Sequence, residues 1–325
     1  MSMVRTVRGD ISPTDLGYCQ THEHIWCDFS DIERGYLLPS VTRDVRDTMI
    51  LDDEDRVLEE LRLYYADGGR ALVEVTTEHW GRDLARLRDF SERSGVHIIA
   101  TSGFYTEPSI PGWVDGASVG EIAKILVRDL EEGDPDTGVR PGLFKSGIMR
   151  ARIEAVELKV LRAVVRASLE TGAAVTTHTT GTRRYEIPGG TVGIEHLKIF
   201  REEGGHAHRL IVGHVDERPD INVLSELAEH GCYVQFDVIG QYQWLMDETR
   251  SDLVKMMIDR GHISRLLFGT DRCNGAGLFR DAGGLGYTHI SEVFLPMLKS
   301  RAGLSDAQVE AIMIENPARA LSLGG

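Results

Sequence analysis

The sequence predicts an α/β protein of the (β/α)8 TIM barrel class, with a short N-terminal β-hairpin and an extra C-terminal helix. Three observations carry that expectation. Short β-rich apolar segments alternate with longer amphipathic ones, eight candidate strands can be counted, and five of them end on a residue with metal-binding chemistry. Such alternation argues for βαβ units around a parallel sheet, and in an eightfold barrel active sites lie at the C-terminal strand ends.

The candidate strands are Gly17–His24, Ala71–Thr77, His97–Gly103, Gly142–Gly147, Ala174–His178, Leu210–His214, Cys232–Val238 and Leu266–Thr270. Helical patterns fill the gaps. In Asp53–Tyr65, Val57, Leu58, Leu61 and Tyr64 fall at helical spacing and Gly68-Gly69 supplies the stop. Further helices are expected over Arg82–Ser94, Val119–Glu132, Ile153–Glu170, Val192–Glu203, Asn222–His230 and Leu253–Arg260, with Ile290–Ser300 and Asp306–Leu321 closing the chain.

The chain has 325 residues, more than the usual ~100–200 of a single domain, but α/β barrels commonly reach ~250 or more as one unit. A single domain over residues 1–325 is therefore expected, since no linker, repeat or low-complexity segment divides it. A hydrophobic content of 42% is ample for a core, and no apolar run approaches the ~20 residues that cross a bilayer. The first ten residues lack an apolar secretory core, so a cytoplasmic protein is expected. Four scattered cysteines give neither a disulfide framework nor a CxxC knuckle. A net charge of -15 disfavours nucleic acid or an anionic membrane as partner, which leaves a small-molecule substrate.

The five segments are Thr21-His22-Glu23-His24, Leu143-Phe144-Lys145-Ser146-Gly147, Thr176-Thr177-His178-Thr179, Val212-Gly213-His214-Val215-Asp216 and Phe268-Gly269-Thr270-Asp271. On a strand, residues two apart share a face, so His22 and His24 can serve one ion. Packing explains that pair equally well when it is taken alone. His178, His214 and Asp271, each directly after an apolar β-type run, turn the pair into a set. Lys145 is the odd member, because an ammonium group repels a cation. It becomes a ligand only if its amine is deprotonated and carboxylated by carbon dioxide; the alternative is a salt bridge to Asp271 or Glu23.

Together the six groups resemble the amidohydrolase superfamily, and within it the phosphotriesterase family with its phosphotriesterase-like lactonases. The resemblance runs from Thr6–Ile11, similar to the family's N-terminal hairpin, to Glu315-Asn316-Pro317-Ala318, similar to its closing helix. It implies a metal-dependent hydrolase with two divalent ions. His22, His24 and Asp271 would hold the more buried ion, His178 and His214 the more exposed one, and N6-carboxylated Lys145 would bridge them. Two such cations lower the pKa of a shared water and polarise the electrophile, while Asp271 can carry its proton to the leaving oxygen. Imidazole and carboxylate ligands suit zinc, iron, cobalt or manganese, with zinc the default. A homodimer is also implied.

Substrate is the finer question. The seventh strand reads Phe236-Asp237-Val238, where related hydrolases often carry arginine or histidine after the aspartate, and Val238 cannot relay protons. Asp216 or Glu217 could assist proton removal or serve structurally. Tyr105, in Ser102-Gly103-Phe104-Tyr105, is placed to donate toward the metals or a substrate carbonyl and joins Asp271 and Lys145 as a catalytic candidate. Ile110, Trp113, Tyr242 and Trp244 could line an apolar mouth suited to an acyl chain. Arg183-Arg184, Arg272 and Arg280 instead suit carboxylate or phosphate, or lie solvated at the surface. The expected activity is opening of lactones, foremost N-acyl-homoserine lactones in the quorum-quenching manner, with weak phosphotriesterase side activity. Phosphorylated sugar lactones or phosphoesters are the alternative substrates, and a non-catalytic ligand-binding barrel is the alternative class.

Overall fold

The structure, a computed structural model, describes residues 2–28, 50–107, 109–148, 153–179 and 189–324. All eight expected strands are present, seven of them shorter than expected and His97–Gly103 matched in full. They are β1 (Cys19–Glu23), β2 (Ala71–Glu74), β3 (His97–Gly103), β4 (Leu143–Gly147), β5 (Val175–His178), β6 (Leu210–Val212), β7 (Tyr233–Phe236) and β8 (Leu266–Phe268). They pair in parallel and in chain order within one eight-stranded sheet. Parallel strands are covered on both faces, which is why they read as apolar runs rather than alternating ones.

The two edges of the sheet meet. Thr21 Oγ1 donates to Phe268 O at 3.1 Å and Asp271 N donates to His22 O at 3.1 Å, so the C-terminal ends of β1 and β8 lie side by side. A register shift between Gln20 and Glu23 marks an irregularity in β1 where it delivers its histidines.

A helix follows each strand: α1 (Glu54–Ala66), α2 (Leu84–Ser94), α3 (Val119–Glu131), α4 (Ala155–Thr171), α5 (Gly189–Glu202), α6 (Ile221–Glu229), α7 (Asp247–Asp259) and α8 (Leu295–Ala302). In α3, Ile122, Ala123, Leu126, Val127 and Leu130 are buried, the spacing of one inward face, and Ser118 with Glu121 forms a capping box at its start. The helices from α3 onward pack with β4 to β8 in one large core, α1 and α2 pack in a second cluster with Leu72, Ile98 and Ala100, and a third cluster, with Val73, Ile211, Tyr233 and Leu267, draws on strands across the barrel. Below them, the hairpin Met3–Thr6/Gly9–Ile11 takes Ser322–Leu323 as a third strand and fastens both chain ends to the barrel floor. Among the described residues no helix is long and apolar enough to cross a membrane.

The two closing helices depart from the expected regular form. Each contains a π turn, Ile290–Phe294 before α8 and Ala311–Glu315 before Asn316–Leu321. Each turn stands just ahead of a proline, Pro296 or Pro317. A proline removes one amide donor and its ring crowds the carbonyl four residues back, so the wider turn accommodates it.

One buried histidine makes the fold sensitive to acid. His196 of α5 is 0% exposed; its Nδ1 lies 3.1 Å from Val192 O and its Nε2 has no partner among the described residues. Burial pulls its pKa from 6.5 to about 4. The unfolded chain therefore binds the proton first, so stability present above pH 6.5 is lost as pH falls toward the folded value. Between pH 7 and 5 the wild type is expected to lose about 2 kcal/mol more than His196→Leu, read from urea midpoints at the two pH values. Equal losses in both proteins would remove His196 as the cause.

Candidate metal centre

The strand ends bring the predicted ligands together. His22 and His24 leave β1, Lys145 lies in β4, His178 ends β5, His214 follows β6 and Asp271 follows β8. His22, Lys145 and His214 are each 1% exposed, His24 5% and His178 7%, whereas the Asp271 side chain keeps 18% of its surface open. The least covered ligand is thus the carboxylate.

Two of the predicted ligands adopt backbone conformations that L-residues avoid. His214 has φ 54° and Asp271 φ 50°, against a cost of about 1–3 kcal/mol for such a residue. The glycines ahead of them make the turns feasible. A Cβ on Gly213 would stand 2.5 Å from Thr177 O and 2.7 Å from Asp237 Oδ2, and one on Gly269 2.8 Å from His22 O. Only hydrogen fits in either place.

The protein holds His22, His24 and His214 by Nδ1 and turns their Nε2 atoms toward Asp271, whereas His178 presents Nδ1 to His214 and Nε2 to Tyr105. His24 Nδ1 lies 2.7 Å from Thr76 Oγ1, and His24 Nε2 is 3.2 Å from Asp271 Oδ1. His22 Nδ1 lies 3.2 Å from Gln235 Oε1 and 2.6 Å from Asp237 Oδ2, with Nε2 3.5 Å from Asp271 Oδ1. His214 Nδ1 is 2.9 Å from Asp237 Oδ1, which also accepts from His214 N at 2.8 Å; Nε2 is 4.0 Å from Asp271 Oδ2. His178 Nδ1 stands 2.7 Å from His214 Nε2, and Tyr105 Oη lies 2.8 Å from His178 Nε2.

This donor set fits divalent cations. His22, His24 and Asp271 offer ligand atoms within 4.8 Å of one another, and so do His22, His214 and Asp237. The second trio is better read as support, because both oxygens of Asp237 already face Nδ1 atoms. A carboxylate behind an imidazole fixes its tautomer and leaves the Nε2 lone pair for a metal.

The electrostatics follow from burial. Burial raises the carboxyl of Asp237, but the adjoining His214 and His22 outweigh it and hold the group far below the ordinary range. Burial lowers His214, yet Asp237 carries it to about 9. His178, buried beside His214 and Lys145, is held well below its usual value. Lys145 is pulled down to about 8 by burial against the attraction of Asp271, Asp237 and Glu74. It makes no ion pair among the described residues, so the salt bridge weighed from sequence does not form. Glu23 instead accepts Thr270 N at 2.7 Å and Thr270 Oγ1 at 2.6 Å across the β1–β8 seam.

The remaining sequence candidates fall in different places. Tyr105 is 7% exposed and packs on Trp80 with ring centroids 3.7 Å apart. Trp244 is half-buried and donates Nε1 to Gln241 Oε1 at 3.2 Å. Arg272 is 5% exposed; Nη2 donates to Ile239 O at 3.3 Å and Nε has no partner among the described residues. Arg280 is committed elsewhere, pairing with Glu292 at 2.6 Å. Arg183 and Arg184 lie outside the described residues. Asp216 is structural: it accepts Arg250 Nε at 2.7 Å and Asp237 N at 3.1 Å. Trp113 packs edge-on against Phe104 and Tyr242 against His289. The cavity of about 710 Å³ beside α2 and α3 contains none of the ligands.

Sequence reasoning gave Asp237 no part in orienting the ligands and passed over Gln241 and Thr76. Only Asp237 had a signal, its position at the end of an apolar strand.

Eight parallel strands with imidazoles and carboxylates gathered at their C-terminal ends define a barrel hydrolase of the metal-binding kind. The chain belongs to the phosphotriesterase family, whose profile matches residues 2–321, and it is a hydrolase. It is 29% identical over 304 residues to the phosphotriesterase homology protein of Escherichia coli K12, covering 93% of this chain and 97% of that one. It is 29% identical to the N-acetyltaurine hydrolase of Mus musculus, over 97% of this chain and 96% of the relative. A lactonase from Listeria monocytogenes superposes with a TM-score of 0.88 over 98% of this chain and 99% of that one; at 24% identity the likeness concerns the fold.

Asp237→Asn would set an amide N–H2 against one imidazole N–H. Zinc affinity, titrated against a chelator, is expected to fall about 10–100-fold. Wild-type affinity in the variant would show that Asp237 does not orient the two histidines.

Proposed function

We propose that the protein is a binuclear metal-dependent hydrolase that opens lactones, with N-acyl-homoserine lactones as the leading substrates. His22, His24 and Asp271 would hold one ion, zinc in the first instance, and His178 and His214 the other, with Lys145, once N6-carboxylated, as a further ligand. When bound, the pair supplies a lowered water pKa and a polarised electrophile.

The chain's own groups do the rest. Asp271, open to the barrel mouth, accepts the proton of the attacking water and returns it to the leaving oxygen. Tyr105 Oη, beside His178, donates to the substrate carbonyl. The observation that carries the lactone reading is Val238, which is 0% exposed directly after Asp237. No side chain at that position relays a proton outward, so Asp271 hands it over directly. A lactone suits such a site, because its leaving alkoxide stays tethered beside the carbonyl that was attacked. Trp113 and Tyr242, 46% and 45% exposed, offer apolar surface to an acyl chain. A homodimer in the cytoplasm and a weak phosphotriesterase side reaction complete the proposal.

Arg272 favours a second reading. A buried guanidinium whose Nε is unpaired among the described residues, one residue after Asp271, suits an anionic acyl compound, such as a phosphorylated lactone or an N-acyl amino sulfonate. The relative named N-acetyltaurine hydrolase keeps the amide within that range.

A hydrolysis screen of the metal-loaded protein separates the two. Long- and short-chain acyl-homoserine lactones should turn over faster than phosphorylated lactones, N-acyl amino sulfonates and an aryl phosphotriester. Turnover of the anionic compounds alone would discard the first reading for the second. Asp271→Asn should lower kcat by about 10²–10⁴-fold. Lys145→Ala should lose metal and activity and recover part of both with short carboxylic acids; full metal occupancy in that variant would contradict its role as a ligand.

A further inference from the structure

Asp271 needs restraint, since its left-handed φ of 50° works against the chain. On its N-terminal side the restraint comes from β1: Asp271 N donates to His22 O at 3.1 Å, and Thr270 is bound to Glu23. On the carbonyl side it comes from another element. Gln241, in the loop between β7 and α7, donates Nε2 to Thr270 O at 2.8 Å and to Asp271 O at 3.0 Å. Its two amide hydrogens are thereby used on consecutive carbonyls around the strained residue.

The other end of the same side chain faces the loop. Gln241 Oε1 accepts Trp244 Nε1 at 3.2 Å and Gln243 Nε2 at 3.0 Å. A carboxamide has two donors and two acceptor lone pairs, and here all four are engaged. The loop itself is anchored from beneath. Gly240 N donates to Asp247 Oδ1 at 3.0 Å, and Asp247 is held by Arg250 at 2.9 Å and His289 at 2.9 Å.

We propose that Gln241 is a positioning residue for Asp271: its carboxamide holds the carbonyls around that carboxylate and joins them to Trp244 on the β7–α7 loop. This rests on the reading of Asp271 as metal ligand and proton acceptor. A change at Trp244 on substrate binding then reaches Asp271 through a single side chain. A mere loop tether would change loop stability and KM; a positioning residue changes kcat and the hold on metal.

The two ends can be tested separately in the cobalt-loaded full chain, with a chromogenic aryl ester as probe. Gln241→Glu keeps the acceptors for Trp244 but sets oxygen against the two carbonyls. It is expected to lower kcat and to speed cobalt release to a chelator by about 10-fold each, with KM within twofold. Gln241→Lys restores donors to the carbonyls and should recover both quantities to within about threefold of wild type; Gln241→Met, neutral and of similar length, should behave as Gln241→Glu and serves if either charged variant fails to fold. Trp244→Phe should lower kcat in the wild-type background and add nothing in Gln241→Glu. Wild-type kcat and cobalt release in both Gln241→Glu and Gln241→Met would overturn the proposal. Asp271→Asn is the control: if it keeps metal and turnover, the reading of Asp271 has failed, whereas its loss beside unaffected Gln241 variants condemns Gln241 alone.

Discussion

Two hydrogen bonds to one buried carboxylate underlie the whole site. Glu23 is 0% exposed, and both of its oxygens accept from Thr270, so the end of β1 is fixed to the end of β8. A barrel has to join its first and last strands somewhere, and here the seam passes between His22 and His24 on one side and Asp271 on the other. Burial raises Glu23 to about 8 even though Thr270 opposes the shift. An acceptor so poorly solvated takes its hydrogen bonds from the protein, which makes the seam specific. Gly269, with no room for a Cβ against His22, lets the two backbones approach closely enough.

Asp237 solves a second problem, that of keeping imidazoles in one tautomer inside a dry barrel. Its oxygens take Nδ1 contacts from β1 and β6 together, so one charge orients a histidine on each side. A lone buried carboxylate is costly, and the imidazoles of His214 and His22 offset that cost; its backbone is held separately. Asp237 N donates to Asp216, Asp216 pairs with Arg250, Arg250 with Asp247, and Asp247 with His289. These groups are all nearly or fully buried. The network links the orientation of the ligands to the packing of α7 and to the loop that carries Gln241.

The fold was legible because its signals are local. Most strands carry an apolar run, the helices carry a buried stripe, and α1, α2, α3 and α6 start on a side-chain cap, so a period of two or of 3.6 suffices to find them. The π turns were not legible from period alone, although Pro296 and Pro317 mark their places. The gathering of the predicted ligands was legible for a related reason: a strand end is visible in sequence, and a barrel sends all such ends to one face. What was hidden depends on partners distant in the chain. Asp237 meets His22 from 215 positions away (237 minus 22), and Gln241 meets Asp271 from 30, with no pattern joining them. Arg280 misled in the opposite direction. After a strand end it reads as a substrate arginine, but Glu292, twelve positions on, occupies it.

The same distinction explains why chemistry is better defined than substrate. Ligands held by strands inherit their geometry from the ladder, whose spacing leaves little freedom. Substrate contacts come from loops, where Trp244, Tyr242 and Arg272 are set by turns and by single side chains. Gln241 joins the two regimes, with its donors on the backbone at Asp271 and its acceptor on the loop. In the proposed reaction Asp271 returns the proton directly, which makes that junction matter, because Val238, buried, gives it no alternative path on the β7 side. The leaving oxygen must then lie within reach of one carboxylate, and the loop that positions the carboxylate also helps decide which leaving groups can come that close.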